Sequence, residues 1–192
     1  MEQEKIFYTL IVFSENFAGL LNQVTAVFTR RQVNIESLNV SASSISGVHK
    51  YTITCWSTEE QIQIITKQIE KRIDVLQAHY FTDDQIFIQE VALYKLSTSA
   101  VLENPDISSA VRHHGAQIVE VNPTYTVVSK KGSTEDIVSL YHALDEYKCV
   151  LQYVRSGRIA ITKSCTEYLD EFLSERQRVY DDLQAQKKEN IG

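Results

Sequence analysis

The chain has 192 residues, of which 43% are hydrophobic and 23% are charged, and this length can bury one large core or two small ones. Its formal net charge of −6 argues against a general affinity for nucleic acid. The charged start predicts that there is no signal peptide, and the lack of a long apolar stretch predicts that there is no membrane span. The three cysteines are widely spaced and odd in number, which predicts free thiols in a reducing cytoplasm; they are Cys55, Cys149 and Cys165.

Residues 6–81 predict the order strand, helix, strand, strand, helix, strand. Residues 6–13 are apolar on both faces, which is typical of a central strand. A helix face follows, ending near Arg30, and residues 33–43 and 48–56 predict a hairpin. Ser57 then begins a capping-box pattern for a second helix, and residues 75–81 close the unit. The two helix faces consist of Leu20, Leu21, Val24, Val27 and Phe28, and of Ile62, Ile65 and Ile69.

The second half repeats this order. Strands are predicted at residues 86–96, 118–121, 125–129 and 150–154. One helix is predicted at residues 104–114, with Pro105 in its first turn, and another follows the capping box that begins at Ser133. The apolar face of this last helix consists of Ile137, Leu140, Tyr141 and Leu144.

The sequence therefore predicts an α+β protein made of two ferredoxin-like domains, at residues 1–82 and 85–164. Each has an antiparallel sheet with two helices on one face. Residues 165–192 predict a C-terminal helix, and because an isolated helix this short is marginal in water, we expect its apolar stripe to pack on a domain or a partner. That stripe is Leu169, Phe172, Leu173, Val179, Tyr180 and Leu183.

No motif in the sequence calls for an enzyme. There is no glycine-rich phosphate loop, no His-Glu-x-x-His and no Cys-x-x-Cys. The adjacent His113 and His114 are a poor metal site, and the cysteines have no obvious base. The basic pairs Arg30-Arg31 and Lys130-Lys131 are interpreted as solvated ends of elements.

The stretch SENFAGLLN at residues 14–22 joins the first strand to the first helix. A helix amino end offers unpaired N–H groups and a partial positive charge, so a carboxylate could bind there. Gly19 would allow close approach to the backbone, and Asn16 carries both a donor and an acceptor. Alternatively, Asn16 forms an Asx turn and Gly19 is only a turn residue. The residues alone leave both interpretations open.

Residues 15–40, ENFAGLLNQVTAVFTRRQVNIESLNV, resemble the opening of an ACT domain, and more narrowly the regulatory small subunit of acetolactate synthase. The matching positions are Glu15-Asn16, Gly19, Leu21, Val24, Arg31 and residues 34–40. Further matching blocks are QIEKRIDVLQ (68–77), QIVEVNPTYTVVSKKGS (117–133) and YVRSGRIAITK (153–163).

The resemblance implies a non-catalytic, cytoplasmic homodimer that binds and activates a catalytic subunit and confers feedback inhibition, usually by valine. Thiamine diphosphate, Mg²⁺ and FAD would belong to the catalytic subunit, and this chain would carry no cofactor or metal. The effector would lie between paired ACT domains, bound by one chain's loop and the other chain's second-strand start. The implied residues are Asn16, Phe17, Ala18, Gly19 and Leu20, and across the dimer Asn34 and Ile35.

Two other functions remain open at this point. The first is a free-standing ACT-domain amino-acid sensor that acts on another enzyme. The second is a small enzyme on a ferredoxin-like fold, although no clustered acid–base pair supports it. Co-purification with a thiamine-dependent enzyme would separate the regulatory subunit from the free-standing sensor.

Overall fold

The computed structural model describes residues 4–164 and residue 174. Within this part the chain divides into two compact units, one containing residues 4–36, 40–87 and 161–164, the other residues 37–39 and 88–160. The predicted C-terminal stripe from Leu169 to Leu183 lies outside the described residues. None of the described helices is long and apolar enough to cross a membrane.

The first unit has the predicted βαββαβ order. The elements are β1 (Ile6–Glu15), α1 (Leu20–Arg30), β2 (Ser37–Ala42), β3 (Val48–Ser57), α2 (Glu59–Glu70) and β4 (Val75–Phe81). The sheet runs in the order β2-β3-β1-β4, and β1 is antiparallel to both of its neighbours. This topology confirms the ferredoxin-like prediction.

The central strand β1 is buried on both faces, as its sequence predicts. Every side chain from Tyr8 to Phe13 is buried, and Leu10 lies opposite the equally buried Ile53 of β3. Leu21 is 40% exposed, so it lies at the edge of the apolar stripe of α1 and not within it. The buried faces of the two helices are Leu20, Val24, Val27 and Phe28 on α1, and Ile62, Ile65, Thr66 and Ile69 on α2.

Two predicted boundaries in this unit are wrong. Strand β2 begins at Ser37 and not at Val33, because the Val33 N–H donates to the Phe28 carbonyl oxygen and closes the end of α1. The cap of α2 is Thr58 and not Ser57, since the Thr58 hydroxyl oxygen accepts from the Gln61 N–H at 3.3 Å.

The elements of the second unit are β5 (Ile86–Ser97), α3 (Thr98–Glu103), α4 (Pro105–His113), β6 (Gln117–Val121), β7 (Tyr125–Gly132), α5 (Thr134–Asp145), β8 (Val150–Arg155) and β9 (Ile159–Thr162). Its sheet also has a four-strand path, in the order β6-β7-β5-β8, with β9 pairing to β5. Asn104 caps α4 ahead of Pro105, and Ser133 with Asp136 forms the predicted capping box of α5. Helix α3 and strand β9 were not predicted.

A buried charge cluster lies beside the core of the second unit. The fully buried Glu90 carboxylate accepts two hydrogen bonds of 2.8 Å from the Arg155 guanidinium and one of 2.6 Å from the Thr134 hydroxyl. Arg158 Nε donates to Thr134 Oγ1 at 3.1 Å and lies 3.6 Å from Glu90 Oε1. This cluster was not predicted from the sequence.

Candidate functional site

The loop between β1 and α1 is set by the backbone angle of Gly19. This residue has φ 92° and ψ −9°, a left-handed conformation that residues with a side chain rarely adopt. A Cβ placed there would meet nothing within 4 Å. Glycine is therefore required by the turn, while the space beside it is open within the chain.

Several backbone donors of this loop are unused. The N–H groups of Asn16, Phe17 and Leu20 donate to the carbonyl oxygens of Gly47, Glu15 and Phe17, at 2.9, 3.1 and 3.3 Å. Four further N–H groups have no acceptor among the described residues, and they belong to Ala18, Gly19, Leu21 and Asn22. Such donors at a helix start are the groups that bind carboxylates.

The start of α1 differs in its electrostatics from the starts of α2, α4 and α5, and shares its lack of a side-chain cap only with the six-residue α3 among the described helices. Its first turn has no acidic residue, and no side chain accepts a hydrogen bond from it. In α2, α4 and α5 a side chain caps the start and an acidic residue lies in the first turn. The partial positive charge at the start of α1 is thus left without a nearby side-chain anion on its own helix.

The side chains of the predicted loop residues divide into exposed and buried groups. Asn16 is exposed and its amide makes no hydrogen bond with the described residues, so the Asx turn that would explain it locally is not observed. Phe17 is 56% exposed, and Ala18 is exposed beside it. Leu20 is fully buried, so its side chain belongs to the core and only its main chain can take part in a site.

The other two predicted site residues lie at the opposite end of α1. Asn34 is exposed and Ile35 is half-buried, and both lie in the connection to β2 instead of in the predicted strand. Helix α1 has 11 residues and is therefore about 16 Å long. Within one chain, its length separates Asn34 and Ile35 from Gly19 by more than a small amino acid can span.

Metal-binding clusters and activated thiols were also sought among the described residues. No group of three or more His, Cys, Asp or Glu side chains among them could hold a metal ion. Burial, with a smaller contribution from Glu36, raises the pKa of the Cys55 thiol to about 11, and burial also raises the pKa of Cys149. Both thiols are therefore protonated and poor nucleophiles at neutral pH.

Comparison with known proteins identifies the family. Residues 10–77 match a model described as an AHAS small subunit-like ACT domain, and residues 89–164 match one described as the small subunit of acetolactate synthase. The acetolactate synthase small subunit of Bacillus subtilis (strain 168) is 32% identical over 149 residues, which cover 77% of this chain and 86% of that protein. The chain belongs to the acetolactate synthase small-subunit family.

Further relatives agree with this assignment. The acetolactate synthase small subunit of Mycobacterium leprae (strain TN) is 30% identical over 156 residues, covering 81% of this chain and 91% of the relative. The solved structure of the small subunit from Thermotoga maritima matches with a TM-score of 0.75 at 21% identity, over 83% of this chain and 99% of that one, which supports the fold. As an acetolactate synthase small subunit, the chain is a non-catalytic regulatory subunit that pairs with a separate catalytic subunit.

Proposed function

We propose that this small subunit activates its catalytic subunit and transmits feedback inhibition by valine, which binds at the loop between β1 and α1. The observation that supports this site most strongly is the uncapped start of α1. Four N–H groups there have no acceptor among the described residues, and no acidic residue lies in the first turn. The carboxylate of an amino acid supplies both the missing acceptors and the missing negative charge.

The loop also offers groups for the rest of the ligand. The Asn16 amide makes no hydrogen bond with the described residues, so its oxygen can accept from the ammonium group of the amino acid. The exposed Phe17 and Leu21 provide apolar surface for a branched side chain. Because one methylene is worth roughly 1–3 kcal/mol, we expect modest discrimination among valine, leucine and isoleucine.

The remaining part of the site would come from a second copy of the chain. Asn34 and Ile35 lie beyond the far end of a helix about 16 Å long, so they cannot contact a ligand bound at Gly19 of the same chain. A two-fold homodimer through the first unit would bring the two halves of the site together. Thiamine diphosphate, Mg²⁺ and FAD would then belong to the catalytic subunit.

The test is the valine inhibition curve of the reconstituted enzyme, with Asn16→Ala as the variant. We expect this variant to activate the catalytic subunit normally but to need at least tenfold more valine for half-inhibition. Coupling between an effector site and activity is typically about 1–3 kcal/mol, so a loss of this size is measurable. Asn34→Ala should weaken the response from the other side of the dimer.

The matched control is Gln152→Ala, which removes an exposed amide from β8 in the second unit. Its inhibition curve should overlay that of the wild type. If Asn16→Ala and Gln152→Ala are inhibited equally, valine binds elsewhere. If the wild-type complex is activated but is not inhibited by valine, the feedback part of the proposal is wrong and the activation part stands.

A further inference from the structure

A groove of about 500 Å³ on the first unit is lined by cationic side chains. It lies where the carboxyl ends of α1 and α2 approach one another, since Arg30 ends α1 and Lys71 directly follows α2. One hydrogen bond links the two sides, from Arg31 Nε to Gln68 Oε1 at 3.5 Å. The lining residues are Arg30, Arg31, Gln68, Lys71 and Arg72.

The positive charge of this groove exceeds what the helix ends require. Each helix carboxyl end carries about half a negative charge, so two of them offset roughly one cation. The groove contains four cationic side chains, which leaves an excess of about three positive charges. Among residues 4–164, no carboxylate forms an ion pair with any of the four. This excess stands out in a chain whose net charge is −6.

The chemistry of the lining favours phosphate. A guanidinium presents several N–H donors in a planar fork that matches two phosphate oxygens, and three of the four cations are arginines. The Gln68 amide adds a neutral donor. A volume of about 500 Å³ lies within the range of ligand sites in proteins and accommodates a small molecule, whereas a flat basic surface would favour a macromolecule.

We propose that this groove binds a small phosphate-bearing molecule as a second ligand of the subunit. It lies at the carboxyl end of α1, whereas the loop proposed for valine lies at the amino end, about 16 Å away. Within one chain the groove is therefore separate from that loop. Asn34 and Ile35, which are proposed to complete the valine site of a partner chain, lie just beyond the same end of α1 as the groove. A titration without valine therefore tests the groove by itself.

The test is isothermal titration of the full chain with pyrophosphate, at low ionic strength and at about 0.15 M salt. We expect saturable binding with one site per chain that weakens as salt is added, because the attraction is electrostatic. In the double variant Arg31→Gln/Arg72→Gln, the affinity should fall at least tenfold. The affinity for citrate should be several-fold weaker than for pyrophosphate, since its carboxylates are spread over a carbon skeleton.

The matched control is Lys5→Gln/Lys148→Gln, which removes two exposed cations outside the groove and changes the net charge equally. It should alter the pyrophosphate affinity less than twofold. Circular dichroism checks that both double variants are folded, which is expected because the substituted side chains lie largely at the surface. Absence of saturable pyrophosphate binding to the wild type, equal affinities of the two double variants, or citrate binding as tightly as pyrophosphate would each overturn the proposal.

Discussion

Glu90 is a fully buried carboxylate that two arginines and a threonine surround. Removing its charge would leave the Arg155 cation without this counter-ion and would remove one contact of the buried Arg158. Breaking a buried ion pair by losing one partner costs about 3–5 kcal/mol. Because the Arg155 side chain is 35% exposed, we expect the lower end of this range for Glu90→Gln, about 3 kcal/mol.

The measurement is the free energy of unfolding in urea, with Lys148→Gln as the control. This control breaks the 3.9 Å contact between Lys148 and Asp145, whose side chains are 83% and 46% exposed. Exposed pairs contribute about 0–1 kcal/mol, so the control should hardly change stability. Equal effects of the two substitutions would show that the Glu90 cluster does not stabilise the second unit.

Gly19 and Gly115 allow a role in binding to be separated from a role in the turn. Both have positive φ, 92° and 63°, and a Cβ at either position meets no atom closer than 3.9 Å. Substitution by alanine should therefore cost each about 1 kcal/mol through backbone strain alone. Only Gly19→Ala should also weaken valine inhibition, because its Cβ would enter the space beside the unused N–H groups. Unfolding in urea and the valine inhibition curve test the two effects, and a normal curve for Gly19→Ala would count against the site.

Two adjacent hydroxyl residues, Ser57 and Thr58, lie at the start of α2, and substituting each in turn shows which of them caps the helix. Thr58 accepts from the Gln61 N–H, whereas the Ser57 hydroxyl makes a long contact of 3.5 Å with the Gln61 side chain. Thr58→Ala should lower the free energy of unfolding by about 1 kcal/mol, as expected for loss of a helix cap. Ser57→Ala should cost clearly less. If Ser57→Ala lowers the free energy of unfolding in urea more than Thr58→Ala does, Ser57 is the cap.

The long periodic elements of both units are predictable because burial of one face leaves a repeat in the sequence. The segment before β2 is not predictable in this way. The alternation of Val33, Asn34 and Ile35 resembles a strand, although the Val33 N–H donates to the end of α1. Helix α3 has only six residues and no side-chain hydrogen bond at its cap, so it is too short to show a helical repeat.

The loop between β1 and α1 was predictable from the sequence, whereas its hydrogen bonding was not. A strand that runs through Asn16 and Gly19 into a helix indicates a turn with exposed donors. Which N–H groups lack an acceptor depends partly on the contact between the Asn16 N–H and the distant Gly47 carbonyl oxygen, which the sequence does not reveal. Glu90 did leave a signal, because it falls in phase with the buried Ala92 and Tyr94 along β5. A carboxylate on a buried face implies a buried cation as its partner.

The buried Cys55 is expected to make the whole protein less stable at alkaline pH. Burial raises the pKa of its thiol in the folded state to about 11, from an ordinary value of 9.0. Below pH 9 the thiol is protonated in both states, so the full stability is present. Between pH 9 and 11 only the unfolded chain releases the proton, and the free energy of unfolding falls by up to roughly 3 kcal/mol.

The measurement is urea unfolding at several pH values from 8 to 11, for the wild type and for Cys55→Ala. Burial also raises the pKa of Tyr8, Tyr94 and Tyr153, so the wild-type slope contains contributions besides that of Cys55. The difference between the two slopes isolates the Cys55 contribution, and we expect the variant to lose less stability over this range. Parallel curves would mean that the thiol ionises equally in both states.

The length of α1 has a consequence for how the subunit would respond to dilution. With Gly19 at one end of the helix and Asn34 beyond the other, the proposed valine site is complete only when two chains are associated. A ligand that binds the pair and not the single chain also strengthens the pairing, by mass action. The apparent valine affinity would therefore depend on the concentration of the protein itself. A cell that makes little of this subunit would need more valine to inhibit the same fraction of its enzyme.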